Sequence, residues 1–181
     1  ALNGVSMVIQ PGERVGLVGE SGSGKSTLGR VMLGLDDADE GEVRWKGRAA
    51  SGRAFRRSAQ PVFQDPFSAL NPRMTIGAAL QEAIDQRLIG EGPTVRELLR
   101  EVGLSAEDAT RRPGSFSGGQ RQRIVLARAL ALSPEFLVLD ESVAALDVRI
   151  QAEILDLLNA LCERHGLTFL FISHDLKVVG A

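Results

Sequence analysis

The sequence predicts an α/β fold with a mainly parallel sheet, and three observations predict it. Short apolar or β-branched runs, "RVGLV", "FLVLD" and "TFLFIS", alternate with helix-length segments, which is the pattern of a sheet built from βα units. A glycine-rich stretch, "GESGSGKST" at residues 19–27, follows the first of those runs and leads into the amphipathic "STLGRVMLGL". With 181 residues and 44% hydrophobic content, the chain also has the apolar material for one sizeable core.

In chain order, "RVGLV" is the strand that enters the glycine-rich loop. Trp45 follows "GEV" in an expected edge strand, where it is read as a packing residue. Arg48, Arg53, Arg56 and Arg57 come next and are read as a solvated loop. Between residues 66 and 113 the strand signal fades. There "IGAALQEAIDQRL" and "TVRELLREVGL", split by "GEGP", predict a mostly helical subdomain (66–113) inserted into a catalytic α/β core formed by 1–65 and 114–181. "FLVLD" and "TFLFIS" are buried strands on either side of a helix over 147–164. The apolar residues Ile150, Ile154, Leu157, Leu158 and Leu161 of that helix recur at helical spacing, and Gly166 follows as C-cap. His165 lies in the helix's last turn, where the helix dipole is sufficient reason for it, and it is assigned no catalytic role. The sequence has no internal repeat.

Composition excludes several classes of function. The 21 basic and 23 acidic residues nearly balance at a net charge of -2, so no global field draws nucleic acid or an anionic membrane, and no direct nucleic-acid partner is expected. Cys162 stands alone, which rules out an internal disulfide framework, and it is read as a small buried apolar side chain. No apolar run approaches the ~20 residues that span a bilayer, and the start lacks a secretory signal. A soluble, cytoplasmic protein is expected. Because the chain begins without methionine and stops at "KVVGA", just into a helix after His174, it is read as a fragment trimmed at both ends.

The stretch at 19–27 fits G-x-x-x-x-G-K-[ST] between a strand and a helix, the context that makes the pattern a phosphate loop. Its glycines let backbone N–H groups turn inward, and the helix N-terminus adds positive potential. Lys25 should reach the β- and γ-phosphates, and the Ser26 hydroxyl should join a Mg²⁺ shell. "FLVLDE" delivers Asp140 and Glu141 at the carboxyl end of a buried strand, where ligands sit in open α/β sheets. Asp140 suits Mg²⁺ through water, and Glu141 is placed to polarise an attacking water as general base. His174 ends the third strand at the same edge, within reach of a γ-phosphate. In "SFSGGQRQRIVLARAL", Ser117, Gly118 and Gly119 form a second donor-rich turn opening a helix. One nucleotide needs one phosphate loop, so the second turn is expected to close over a nucleotide held by another subunit.

Together these residues resemble the ATP-binding cassette (ABC) family of ATPases over essentially the whole chain. Residues 19–27 match the Walker A loop, Gln64 in "VFQDP" the Q-loop, "FSGGQ" the signature, "FLVLDE" Walker B, "AALD" ending at Asp147 the D-loop, and His174 the switch histidine. The stretches "VFQDPFSALNPRMTIG" and "FSGGQRQRIVLARALAL" are similar to the ATPase subunits of bacterial oligopeptide, dipeptide and nickel importers. The resemblance implies the ABC ATPase fold, a P-loop NTPase core with an inserted helical subdomain, and ATP and Mg²⁺ as cofactors. It implies nucleotide contacts from Gly19, Glu20, Ser21, Gly22, Ser23, Gly24, Lys25, Ser26 and Thr27, and across the dimer from Ser117, Gly118, Gly119, Gln120 and Asp147. Ser26, Gln64 and Asp140 would surround the metal; Glu141, His174 and Gln64 would serve catalysis.

The implied partners are a second ABC ATPase subunit and membrane permease subunits at the inner face of the cell membrane, with Gln64 relaying nucleotide state to the permease. Hydrolysis would open and close the dimer to drive peptide import. The alternative, a soluble ABC machine acting on nucleic acid or the ribosome, is opposed by the balanced charge, the lack of a long helical insertion and the importer-like stretch after Gln64. Ser142 stands where the family usually has proline, and Ala144 where its D-loop usually has serine. The family's adenine-stacking aromatic lies upstream of Ala1, and Trp45 is not read as its replacement.

Overall fold

The computed structural model describes residues 2–63, 69–87, 92–143 and 146–175. β1 (Arg14–Val18) leads through the glycine-rich loop into α1 (Lys25–Met32). A short antiparallel hairpin, β2 (Arg44–Trp45) and β3 (Arg48–Ala49), precedes α2 (Gly52–Ser58) and β4 (Ala59–Val62). Then come α3 (Ile76–Asp85), α4 (Val95–Glu101), 3₁₀ turns at Ala106–Thr110 and Pro113–Ser115, α5 (Gly118–Leu130), β5 (Phe136–Asp140), α6 (Val148–His165) and β6 (Thr168–Ser173).

Four strands form the main sheet in the order β1-β6-β5-β4, and each neighbouring pair is parallel. Val18 pairs with Ser173, Asp140 with Ile172 and Val62 with Leu139, so the strands' carboxyl ends reach one edge together. The inner strands β5 and β6 are apolar without alternation because both their faces are covered. Val138, Leu170 and Ile172 point into a cluster with Leu33 of the α1 side and Phe55. Their neighbours Leu137, Leu139, Phe169 and Phe171 point the other way, into a cluster shared with α3, α4, α5 and α6. Ile76, Leu80, Leu98 and Leu99 of the helical stretch are buried in that second cluster beside Ile124 and Leu126. Thr75 caps α3, and Thr94 caps α4 through a reciprocal box with Glu97.

Two stretches depart from the sequence expectation. The arginine-rich segment is not a loop: Arg48 lies in β3, and Arg53, Arg56 and Arg57 ride on α2. Phe55 organises it, being 5% exposed and packed against Trp45 with ring centroids 5.8 Å apart and planes tilted by 57°. Trp45 itself lies in the hairpin and also meets Phe136 at 6.3 Å, a packing role as expected. Residues 59–62 carry no strand signal, yet β4 pairs with β5, with Pro61 opposite Val138. At the sheet's edge among the described residues, a proline's missing N–H costs no ladder hydrogen bond.

The long helix begins where Asp147 Oδ1 accepts a hydrogen bond from the Ile150 amide at 3.0 Å, and it stops at Gly166, whose φ of 64° suits glycine. Its Cys162 is buried, and burial pushes the thiol up to about 11, so little reactive thiolate forms near neutrality. His165 Nε2 lies 3.1 Å from Glu101 Oε1, a contact between α6 and α4 in addition to the dipole. No helix among the described residues is long and apolar enough to cross a membrane.

The α1 helix, which begins in the phosphate loop, lies close on the sheet because of Gly29. A Cβ there would stand 2.9 Å from Ile172 Cδ1 and 3.1 Å from Val138 Cγ1. Gly29→Val should therefore cost about 1–3 kcal/mol through overpacking, read as a lower urea midpoint, despite valine's better helix propensity.

Candidate active site

The loop between β1 and α1 is built around one ammonium group. Lys25 is 8% exposed, and its Nζ donates to the carbonyls of Gly19 and Glu20, each at 2.7 Å. A buried charge needs such partners, and these two pull the loop into a ring. Gly22 and Gly24 have φ of 80° and 95°, values that L side chains rarely adopt. Ser23 closes a turn onto Glu20, its amide donating to the Glu20 carbonyl at 3.2 Å. Gly24 then stands as N-cap of α1 with no side chain to satisfy the first amides, so the helix's positive end is left open.

The Walker-type strand supplies the opposite wall. Ser26 Oγ donates to Asp140 Oδ1 at 3.0 Å, which joins α1 to the end of β5. Glu141 sits at φ 47°, and its amide donates to the Ile172 carbonyl at 3.0 Å. That hydrogen bond fixes the turn by which the carboxylate leaves the sheet. Glu141 Oε1 lies 3.3 Å from Nδ1 of His174, directly beyond β6. Ser21, Gly22, Gly24, Lys25, Ser26 and Thr27 line an open cleft with Asp140 and Glu141. Parallel register thus brings the loop, both carboxylates and the histidine to one edge.

Other expected residues lie elsewhere. Ser117 caps α5: its Oγ accepts from the Gln120 amide at 3.3 Å, while Gln120 Oε1 accepts from the Ser117 amide at 3.0 Å. Ser117 and Gly118 are exposed at that helix end, outside the cleft among the described residues. Asp147 is occupied in capping α6. Gln64 and Ala144 lie outside the described residues. Ser142, in the usual proline position, is buried, and its Oγ has no hydrogen-bond partner among the described residues.

Sequence reasoning missed the groups that hold these side chains in place. The Ile172 carbonyl, which orients Glu141, is a backbone group and has no sequence signature. Gly29 carried a signal, a glycine amid an apolar helix face, that marks close approach to another element.

Burial holds Asp140 above the usual carboxylate range, opposed by the Ser26 hydrogen bond and reinforced by Glu141. With the folded value raised, the unfolded chain ionises first as pH increases, so this residue's contribution to stability falls between the ordinary carboxylate range and its raised folded value. In thermal melts without ligand, Asp140→Asn should gain stability relative to the parent across that rise in pH and keep the gain at neutrality. A difference that does not change with pH would contradict this.

The family described as ABC transporter matches residues 2–144. The chain is 51% identical, over its full length, to a putative peptide import ATP-binding protein of Brucella abortus (strain 2308), and 47% identical over 99% of its length to the oligopeptide transport ATP-binding protein OppF of Bacillus subtilis (strain 168). It spans 58% and 63% of the lengths of those two relatives. Among solved structures, cbiO1 from Clostridium perfringens, part of the ABC transporter complex cbiONQ, superposes with a TM-score of 0.86 at 28% identity, over 99% of this chain and 74% of that one. A dimeric post-hydrolysis state of the ATP-binding cassette MJ0796, bound to ADP and Pi, superposes at 0.77 with 31% identity, over 96% of this chain and 79% of that one. The parallel sheet with its flanking helices is the fold of these cassettes.

Proposed function

The chain belongs to the ABC transporter family, and on that premise we propose that it binds and hydrolyses ATP to power the import of peptides through membrane permease subunits. The observation that carries the reading is the joining of Ser26, Asp140, Glu141 and His174 at the mouth of the phosphate loop. Backbone amides at the open end of α1 and the Lys25 ammonium suit a triphosphate. The hydroxyl of Ser26 and the carboxylate of Asp140 are hard oxygen donors that would hold Mg²⁺. Among the described residues no group of three metal-ligating side chains exists, and Mg²⁺ held by phosphate and water requires none. Bound there, the ion would supply charge neutralisation on the phosphates.

The remaining roles belong to the chain's own groups. Lys25 exchanges its loop carbonyls for phosphate oxygens. Glu141 accepts the proton of the attacking water, and His174, in contact with it, orients that carboxylate and meets the γ-phosphate. Ser117, Gly118, Gly119 and Gln120 belong to the site of the partner subunit, with Gln64 and the helical stretch 66–113 passing nucleotide state to the permease at the inner face of the membrane. The peptide substrate class is supported by the names of the peptide import relatives.

Replacing Glu141 with Gln should lower ATP turnover by about 10²–10⁴-fold, the usual range for losing a general base, with MgATP binding retained. The variant's solution mass should rise from monomer to dimer on addition of MgATP. An unchanged turnover would remove Glu141 from the mechanism.

A further inference from the structure

Two adjacent glycines open α5, and their surroundings differ. Gly118 is exposed, whereas Gly119 is buried. Neither has a positive φ, so backbone conformation demands glycine at neither position. Space does. A Cβ on Gly119 would stand 2.5 Å from Ile150 Cγ2, a separation that side chains do not adopt, while one on Gly118 would meet Leu146 Cδ2 at 3.3 Å.

Ile150 lies in the first turn of α6, the helix that follows the loop bearing Glu141. Glu141 is tied to β6 through the Ile172 carbonyl. Two residues on, the buried Val143 accepts a hydrogen bond through its carbonyl from Gln151 Nε2 at 3.0 Å. Asp147 holds the Ile150 amide at 3.0 Å. The first turn of α6 is therefore tied to the stretch after Glu141 through Gln151 and Val143, and its Ile150 Cγ2 lies where a side chain of residue 119 would be.

We propose that Ile150 is a positioning residue for the second phosphate-binding turn: by filling the space beside Gly119 it seats the Ser117 and Gly118 end of α5 against the chain's own catalytic segment. The inference rests on the two-subunit reading above and deepens it. The turn that closes over the partner's nucleotide packs on the first turn of α6, which Gln151 ties to Val143 two residues after Glu141, so a shift at Glu141 reaches the other site through that helix end. Gly119 has no room for a Cβ because of Ile150, which leaves its backbone amide free to serve the same turn, and Gly118 is the more exposed of the two.

A replacement cycle on the full chain, with Gly119→Ala, Ile150→Ala and both together, tests this. In urea without nucleotide, Gly119→Ala should lower the midpoint, and most of that loss should vanish when residue 150 is alanine; additive midpoints would overturn the contact. In ATP turnover, Gly119→Ala should cost about tenfold, and the double variant should return to within about threefold of Ile150→Ala alone. A double variant as slow as Gly119→Ala would overturn the positioning role, because ligand or partner, not Ile150, would then exclude the methyl group. A purely structural Ile150 would leave assembly untouched. In the Glu141→Gln background, Ile150→Ala should weaken MgATP-driven dimerisation by about tenfold while MgATP binding to the monomer holds; equal dimerisation would overturn the proposal. A parent chain that neither turns over ATP nor dimerises with it would refute the function proposed above, and the urea cycle would still decide the contact.

Discussion

A strand covered on both faces has no lateral position at which to carry a charge, so whatever chemistry it bears is displaced to its ends. β5 obeys this constraint: Phe136, Leu137, Val138 and Leu139 are buried in two different clusters, and the first polar residue is Asp140. β6 is buried throughout and releases His174 only after Ser173. Because the two strands run parallel in a register that sets Asp140 beside Ile172, their displaced chemistry emerges at one edge. β1 adds the phosphate loop there, with Val18 paired to Ser173. The site is thus a consequence of burying the sheet and of the parallel direction of its strands.

Electrostatics then prepares that edge for a ligand of mixed charge. Lys25 is nearly enclosed, and among the described residues its hydrogen bonds go to two carbonyl dipoles. Those dipoles are weaker partners than phosphate oxygens, so an anion entering the loop meets a cation that is compensated but not neutralised. Asp140 is in the complementary condition. Burial raises its proton affinity, the Ser26 hydroxyl offsets only part of that, and Glu141 beside it adds repulsion. A cation placed between Ser26 and Asp140 would relieve the carboxylate as an anion would engage the lysine, and a metal-bound phosphate chain does both at once.

Much of this was legible in the sequence, for physical reasons that also explain what was not. The inner strands could be read because a doubly buried strand is continuously apolar, and the loop because its glycines and lysine are chemically uncommon together. Asp140, Glu141 and His174 were found by their place at strand ends. β4 escaped because its signal is four residues long and contains Pro61, which is tolerated only through its edge position, a tertiary fact. α2 escaped because its one apolar anchor, Phe55, is surrounded by arginines, and its burial depends on Trp45 across a hairpin. The packing of Gly119 against Ile150 joins residues 31 positions apart, and the sequence around Gly119 suggested a ligand in place of a neighbour.

Apart from the short α2, whose Ser51 makes no capping hydrogen bond, helix capping sorts the helix ends by purpose. α3, α4 and α6 each begin with a side-chain oxygen, from Thr75, Thr94 and Asp147, that accepts an amide of the first turn and settles the end internally. α1 begins at Gly24, which has no such oxygen, so its amides and the positive end of the dipole stay available to an external anion. α5 lies between these cases. Ser117 and Gln120 satisfy each other reciprocally, which stabilises the helix end, yet the hydroxyl of Ser117 keeps its own proton to donate and Gly118 leaves the approach open. An end that is capped and still able to donate suits a ligand that arrives from outside and departs again. Under the two-subunit proposal it must keep its shape when the second subunit withdraws, and packing against Ile150 gives it a support that does not depend on the nucleotide.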